Sequence, residues 1–119
     1  MDPARILLVE DDFAIRETIA DLLAEEGYRV TSAANGAEAL ALLDERDAPA
    51  LILLDLMMPV MNGWEFRRAL RDDPRLARIP VVVISASRGA EPRASVDADA
   101  FLAKPFDATR LLDTVSRFV

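Results

Sequence analysis

The chain has 119 residues, 52% of them hydrophobic and 29% charged, with 4 Gly and 7 Pro, which is the make-up of a single globular domain over residues 1–119. It contains no Cys and no His, so disulfides, thiolate nucleophiles, Cys/His zinc sites and the usual catalytic triads are excluded. A formal charge of −7 opposes binding to a phosphate backbone and no apolar run approaches a membrane span, so neither nucleic acid nor membrane is expected as a partner.

The opening Met1-Asp2-Pro3-Ala4-Arg5 lacks a cationic leader with a cleavage site and runs straight into an apolar stretch, which predicts a cytoplasmic protein and a first strand over 6–9. A helix follows, with Ile15, Ile19, Leu22 and Leu23 on one face and Gly27 placed to end it. Residues 28–32 form a weaker strand. The next helix opens on Asn35-Gly-Ala-Glu38, a capping-box pattern, and should bury Leu40 and Leu43. Residues 51–54 are aliphatic throughout and predict a third strand; Asn62-Gly-Trp-Glu65 then repeats the start signal before Phe66 and Leu70. Residues 81–84 make a fourth strand. The segment 86–97, with Gly89 and Pro92 and little apolar periodicity, predicts a fourth helix that is short or irregular. A very short strand over 100–102 precedes a last helix capped by Asp107 and carrying Leu111, Leu112, Val115 and Phe118.

Purely aliphatic strands alternating with amphipathic helices predict a three-layer α/β sandwich, its parallel sheet covered on both faces by right-handed crossovers. In such sheets the binding crevice lies outside the carboxyl ends of the strands. There the first strand is followed by Glu10-Asp11-Asp12, the third by Asp55, the fourth by Ser85 and the fifth by Lys104-Pro105. Taken singly, these read as a helix cap, a solvated strand end, a loop hydroxyl and a surface cation. Taken together, three carboxylates repel unless a cation sits among them, and oxygen-only donors suit Mg²⁺, with Mn²⁺ able to substitute. A carboxylate beside such an ion, with an ammonium and a hydroxyl opposite, is arranged for phosphoryl transfer, and aspartate can itself be the nucleophile.

Ile6-Leu-Leu-Val-Glu-Asp-Asp12, Leu54-Asp-Leu-Met-Met-Pro59 with Asn62-Gly63, Ile84-Ser-Ala86 and Lys104-Pro-Phe106, in that order, resemble the receiver domain of bacterial two-component response regulators, of the stand-alone type. The resemblance covers essentially the whole chain. It implies a flavodoxin-like, five-stranded parallel sheet in the order 2-1-3-4-5. It makes Asp55 the phosphoacceptor, Asp11 a direct metal ligand, Glu10 a ligand through water, and the Met57 backbone carbonyl a further ligand. Ser85 is then the switch hydroxyl, Lys104 the phosphate-binding lysine, expected to pair with Asp55 before phosphorylation, and Phe101 the switch aromatic. A cis Lys104-Pro105 bond is implied as well.

Two departures stand out: the stretch between Ser85 and Lys104 is about one helical turn shorter than is usual in the family, and Phe101 lacks the phenolic hydroxyl that some members carry. The expected function is a phosphorylation-dependent switch, fed by a histidine kinase or phosphotransfer protein and read by a downstream protein, monomeric or weakly dimeric. It is not an enzyme beyond its own phosphorylation and autodephosphorylation. The alternatives are an unphosphorylated scaffold or a phosphate-sink receiver, and more remotely an aspartyl-phosphate phosphatase. The last would want an acid two residues after Asp55, where Met57 cannot carry a proton.

Overall fold

Strands form where aliphatic residues occupy every position, because a strand sandwiched between helix layers has no solvent face. The computed structural model describes residues 3–45, 48–58, 60–85 and 98–119. Among these it has β1 (Arg5–Val9), α1 (Phe13–Glu25), β2 (Arg29–Ala33), α2 (Gly36–Glu45), β3 (Leu51–Asp55), α3 (Gly63–Asp72), β4 (Val81–Ser85), β5 (Ala100–Ala103) and α4 (Ala108–Ser116). The irregular helix expected over 86–97 lies outside the described residues. No described helix is long and apolar enough to cross a membrane.

All neighbouring strands are parallel, and their order is β2-β1-β3-β4-β5, as expected. Alternation along each strand divides the interior into two cores. Leu7, Val9, Ile52, Leu54, Val81 and Val83 face one way and pack with Ala39 and Leu43 of α2 and Phe66 and Leu70 of α3. Ile6, Leu8, Leu51, Leu53, Val82 and Ile84 face the other way and meet Ile19 and Leu23 of α1 and Leu111 and Val115 of α4. On α2 Leu43 is buried as expected and Leu40 packs half-buried against the same core, while Ala39 is fully buried in it.

The helix starts follow the expected chemistry. Asp12 caps α1 by accepting from Ile15 N at 3.0 Å, and Asp107 caps α4 by accepting from Arg110 N at 2.8 Å. Asn62 and Glu65 close a reciprocal capping box on α3. On α2, Asn35 accepts from Glu38 N at 2.9 Å. Gly27, at φ 94°, ends α1 in the left-handed region that a side chain would disfavour.

Candidate functional site

The register of the inner strands builds the site. Val9 pairs with Leu54, so the residues one step further along, Glu10 and Asp55, emerge side by side at the carboxyl edge. Asp11 follows at the turn into α1, and one oxygen from each of Glu10, Asp11 and Asp55 lies within 4.8 Å of the others. Glu10 is fully buried, Asp55 is 4% exposed and Asp11 is exposed.

Lys104 reaches this cluster from the end of β5. Its backbone N–H donates to the Ser85 carbonyl at 2.9 Å, which continues the β4–β5 ladder by one residue, and the Lys104–Pro105 peptide is cis. The ammonium donates to Glu10 Oε1 at 2.6 Å and stands 3.8 Å from Asp55 Oδ1. The expected pair with Asp55 is thus present, but the shorter contact is with Glu10. Ser85 ends β4 fully buried, next to the Asp55–Ile84 register pair. The Met57 N–H donates to Asp55 Oδ1 at 3.3 Å while its side chain points outward, 62% exposed. Phe101 lies further back on β5, opposite Val83, half-buried against the α2/α3-side core.

Burial, then the hydrogen bond and charge of Glu10, push the Asp55 carboxyl from 3.8 up to about 8 against the opposing pull of Lys104. Glu10 moves the other way. Burial alone would raise it, but the hydrogen bond with Asp55 and the hydrogen bond and charge of Lys104 outweigh burial and hold it below the ordinary glutamate range. The two shifts oppose each other because a single ammonium cannot balance both carboxylates when both are ionised. Oxygen-only donors, two of them buried and electrostatically unbalanced, fit a hard divalent cation.

The β3–α3 connection shapes the rim. Gly63 N donates to Leu56 O at 2.9 Å, and a Cβ on Gly63 would lie 2.7 Å from Leu56 Cα, so the start of α3 approaches the strand end as only glycine permits. Val60, 80% exposed, has φ 68°, an uncommon conformation for a β-branched residue. On the α1 side, Arg16 Nη1 donates to the carbonyl oxygens of Glu10, at 2.7 Å, and Asp11, at 3.4 Å. Beside the cluster, an open groove of about 550 Å³ runs between α1 and the β5–α4 turn, lined by Ile15, Leu22, Pro105 and Phe106, with Lys104 at its end. Its apolar walls lie apart from the carboxylates.

Two arginines outside every motif stand near the site or in the core beneath it. Arg16, six residues after Glu10 and within the first turns of α1, carried no motif signal. Arg67, on the inward face of α3, is buried with the apolar residues around it, which lowers its pKa by desolvation against the attraction of Asp99. Asp99 in turn accepts from Val81 N at 2.8 Å, fastening the start of β4.

Residues 6–116 match the family model described as the response regulator receiver domain. Response regulator Rre1 of Synechocystis is 38% identical over 92% of this chain, which spans 49% of that protein. The chain spans about half, or in other cases a quarter, of the length of the curated relatives it first matches. Among solved structures, the chemotaxis protein CheY4 of Vibrio cholerae superposes with a TM-score of 0.92 at 33% identity, covering 98% of this chain and 99% of that one. TrrA of Thermotoga maritima, solved in complex with Mg²⁺ and BeF, gives 0.86 at 30% identity, covering 98% and 99%.

Proposed function

Because the chain belongs to the response regulator receiver domain family, whose members are signalling domains of two-component systems, we propose that it is a phosphorylation-dependent switch with Asp55 as the phosphoacceptor. The observation that carries this reading is the strand register that sets a buried Asp55 beside Glu10, with Lys104 over both.

In the proposed reaction an Asp55 carboxylate oxygen attacks the phosphorus of a phosphohistidine on a kinase or phosphotransfer protein. The O–P bond forms as the P–N bond breaks, and the imidazole leaves with its electron pair. Asp55 must be ionised to attack, and the proton it holds in the bare site must leave first. Glu10, Asp11 and Asp55 with the Met57 carbonyl would hold Mg²⁺, as the TrrA complex holds that ion in a relative. When bound, Mg²⁺ supplies the positive charge that displaces the Asp55 proton and screens the incoming phosphoryl oxygens.

Lys104 offers a point cation to a phosphoryl oxygen, and its Glu10 contact at 2.6 Å keeps it at the rim beforehand. Ser85, at the buried end of β4, would meet another phosphoryl oxygen. Its displacement toward Asp55 would open room for Phe101, which already leans on the α2/α3-side core. The resulting shift of β4 and β5 changes the surface offered to a downstream protein. Hydrolysis of the acyl phosphate by water returns the carboxylate and inorganic phosphate.

Incubation with acetyl phosphate and Mg²⁺, followed by intact mass measurement, should show the gain of one phosphoryl group, lost in Asp55→Asn and on chelation of the metal. Equal uptake by Asp55→Asn would overturn the assignment.

A further inference from the structure

We infer that Arg16 is a positioning residue for the acidic site, one that holds the backbone of Glu10 and Asp11 in the arrangement a divalent cation needs. The inference rests on the proposed reading of the site as a metal-dependent phosphoacceptor centre.

Glu10 and Asp11 lie just beyond the end of β1: the Glu10 N–H still donates to Ala33 O at 3.0 Å, and the chain then turns into α1. Among the described residues the donor to both of their carbonyl oxygens is Arg16, from the first turns of the helix. One nitrogen, Nη1, is shared between Glu10 O at 2.7 Å and Asp11 O at 3.4 Å. The guanidinium lies 5.5 Å from the centroid of the Phe13 ring, a side chain left 67% exposed at the start of the same helix. An exposed aromatic at that position has little to offer the core; its ring face instead attracts the guanidinium.

The two cations near the cluster thus do different work. Lys104 sits on carboxylate oxygens and must yield them when the site is loaded. Arg16 places a permanent positive charge behind the two acids through their main chain and leaves the carboxylate oxygens open. Groups that orient ligands in this way commonly set metal affinity without touching the metal.

The test compares wild type, Arg16→Gln and Arg16→Lys. Mn²⁺ dissociation constants are read from the paramagnetic resonance of free Mn²⁺, phosphoryl uptake from acetyl phosphate is followed against Mg²⁺ concentration, and unfolding midpoints are taken in chelator. Arg16→Gln should bind Mn²⁺ about tenfold or more weakly, with an uptake rate at saturating Mg²⁺ within about twofold of wild type. Arg16→Lys should recover little of the loss, because its ammonium, though it has donors enough for both carbonyls, is a compact, strongly hydrated charge with no planar face to rest against the Phe13 ring. A purely structural role predicts instead a lowered unfolding midpoint with Mn²⁺ affinity unchanged, and that result overturns the inference. So does full rescue by Arg16→Lys, which would reduce the effect to charge alone. Failure of the wild type itself to bind Mn²⁺ would overturn the metal-dependent reading as well, whereas equal binding by all three proteins overturns the role of Arg16 only.

Discussion

Burial and the neighbouring Glu10 raise the Asp55 carboxyl while, against its burial, Asp55 and Lys104 hold Glu10 low, and this makes the bare site a pH-dependent liability. With its pKa raised from 3.8 to about 8, Asp55 keeps its proton in the folded chain where the unfolded chain has already lost it, so metal-free stability declines as pH rises from about 4 to about 8. Glu10 acts lower down: its depressed pKa contributes stability above its ordinary range, lost only as pH falls through the depressed value. Between about pH 5 and 8 the Asp55 decline dominates, and Asp55→Asn should abolish it, gaining about 1–3 kcal/mol in chelator near pH 8. Urea unfolding at several pH values checks this; a variant no more stable than wild type would contradict it. The same proton must leave when a divalent cation binds. Apparent Mg²⁺ affinity should therefore rise by up to about tenfold per pH unit in that window, with close to one proton released per ion, measurable by calorimetry in two buffers of different ionisation heat. Asp11 is exposed, so Asp11→Asn should weaken metal binding yet change metal-free stability by no more than about 0.5 kcal/mol, since the costly repulsion lies in the buried pair. Lys104→Met strands the fully buried Glu10 without its 2.6 Å partner and should cost about 3 kcal/mol near pH 8, shrinking as acid protonates the site. That clustered carboxylates at neighbouring strand ends raise one another's pKa was legible in the sequence. Adjacency of the acids followed from strand order, but which one is sealed from water depends on how Lys104 and the helices close over the strand ends.

At the scale of elements, the β3–α3 connection is held by two devices that pull in opposite directions. The Asn62 capping box and the Gly63 contact with Leu56 tie the helix start to the strand end, while Val60 sits at φ 68° between them. Asn62→Ala should cost about 1 kcal/mol, and Gly63→Ala about 1–3 kcal/mol because its Cβ would lie 2.7 Å from Leu56 Cα. Val60→Asn, by contrast, should stabilise by about 1 kcal/mol, since asparagine tolerates the left-handed conformation. Thermal unfolding of the three variants tests the signs together. The helix caps were legible because Asn, Asp and Glu in the first turn satisfy orphan backbone donors wherever they fall. Inward faces were less so: α2 buries Ala39 more fully than Leu40, and α3 buries Arg67 together with its guanidinium Nε and Nη1, within the charge of Asp99. A binary reading of polar and apolar positions cannot anticipate a buried arginine.

Across the whole molecule, strands covered on both faces were the plainest signal, and β1, β3 and β4 formed where continuous aliphatic runs placed them. The edge strands were blurred. β2 begins at Arg29 rather than Tyr28 and has one buried position, because a strand with a single neighbour is shielded less and its pattern mixes. β5 is likewise mostly half-exposed. This gradient from centre to edge bears on how easily backbone amides reach water. Exchange of amide hydrogens for deuterium should be slowest in β3, paired on both sides and fully buried, and markedly faster in β5, which pairs with β4 alone. On the proposed mechanism the phosphoryl mark is written at the end of the slowest-exchanging strand and displayed through Phe101 and Lys104 on or just after a fast one, so phosphorylation should change the exchange of β5 while leaving that of β3 at its floor.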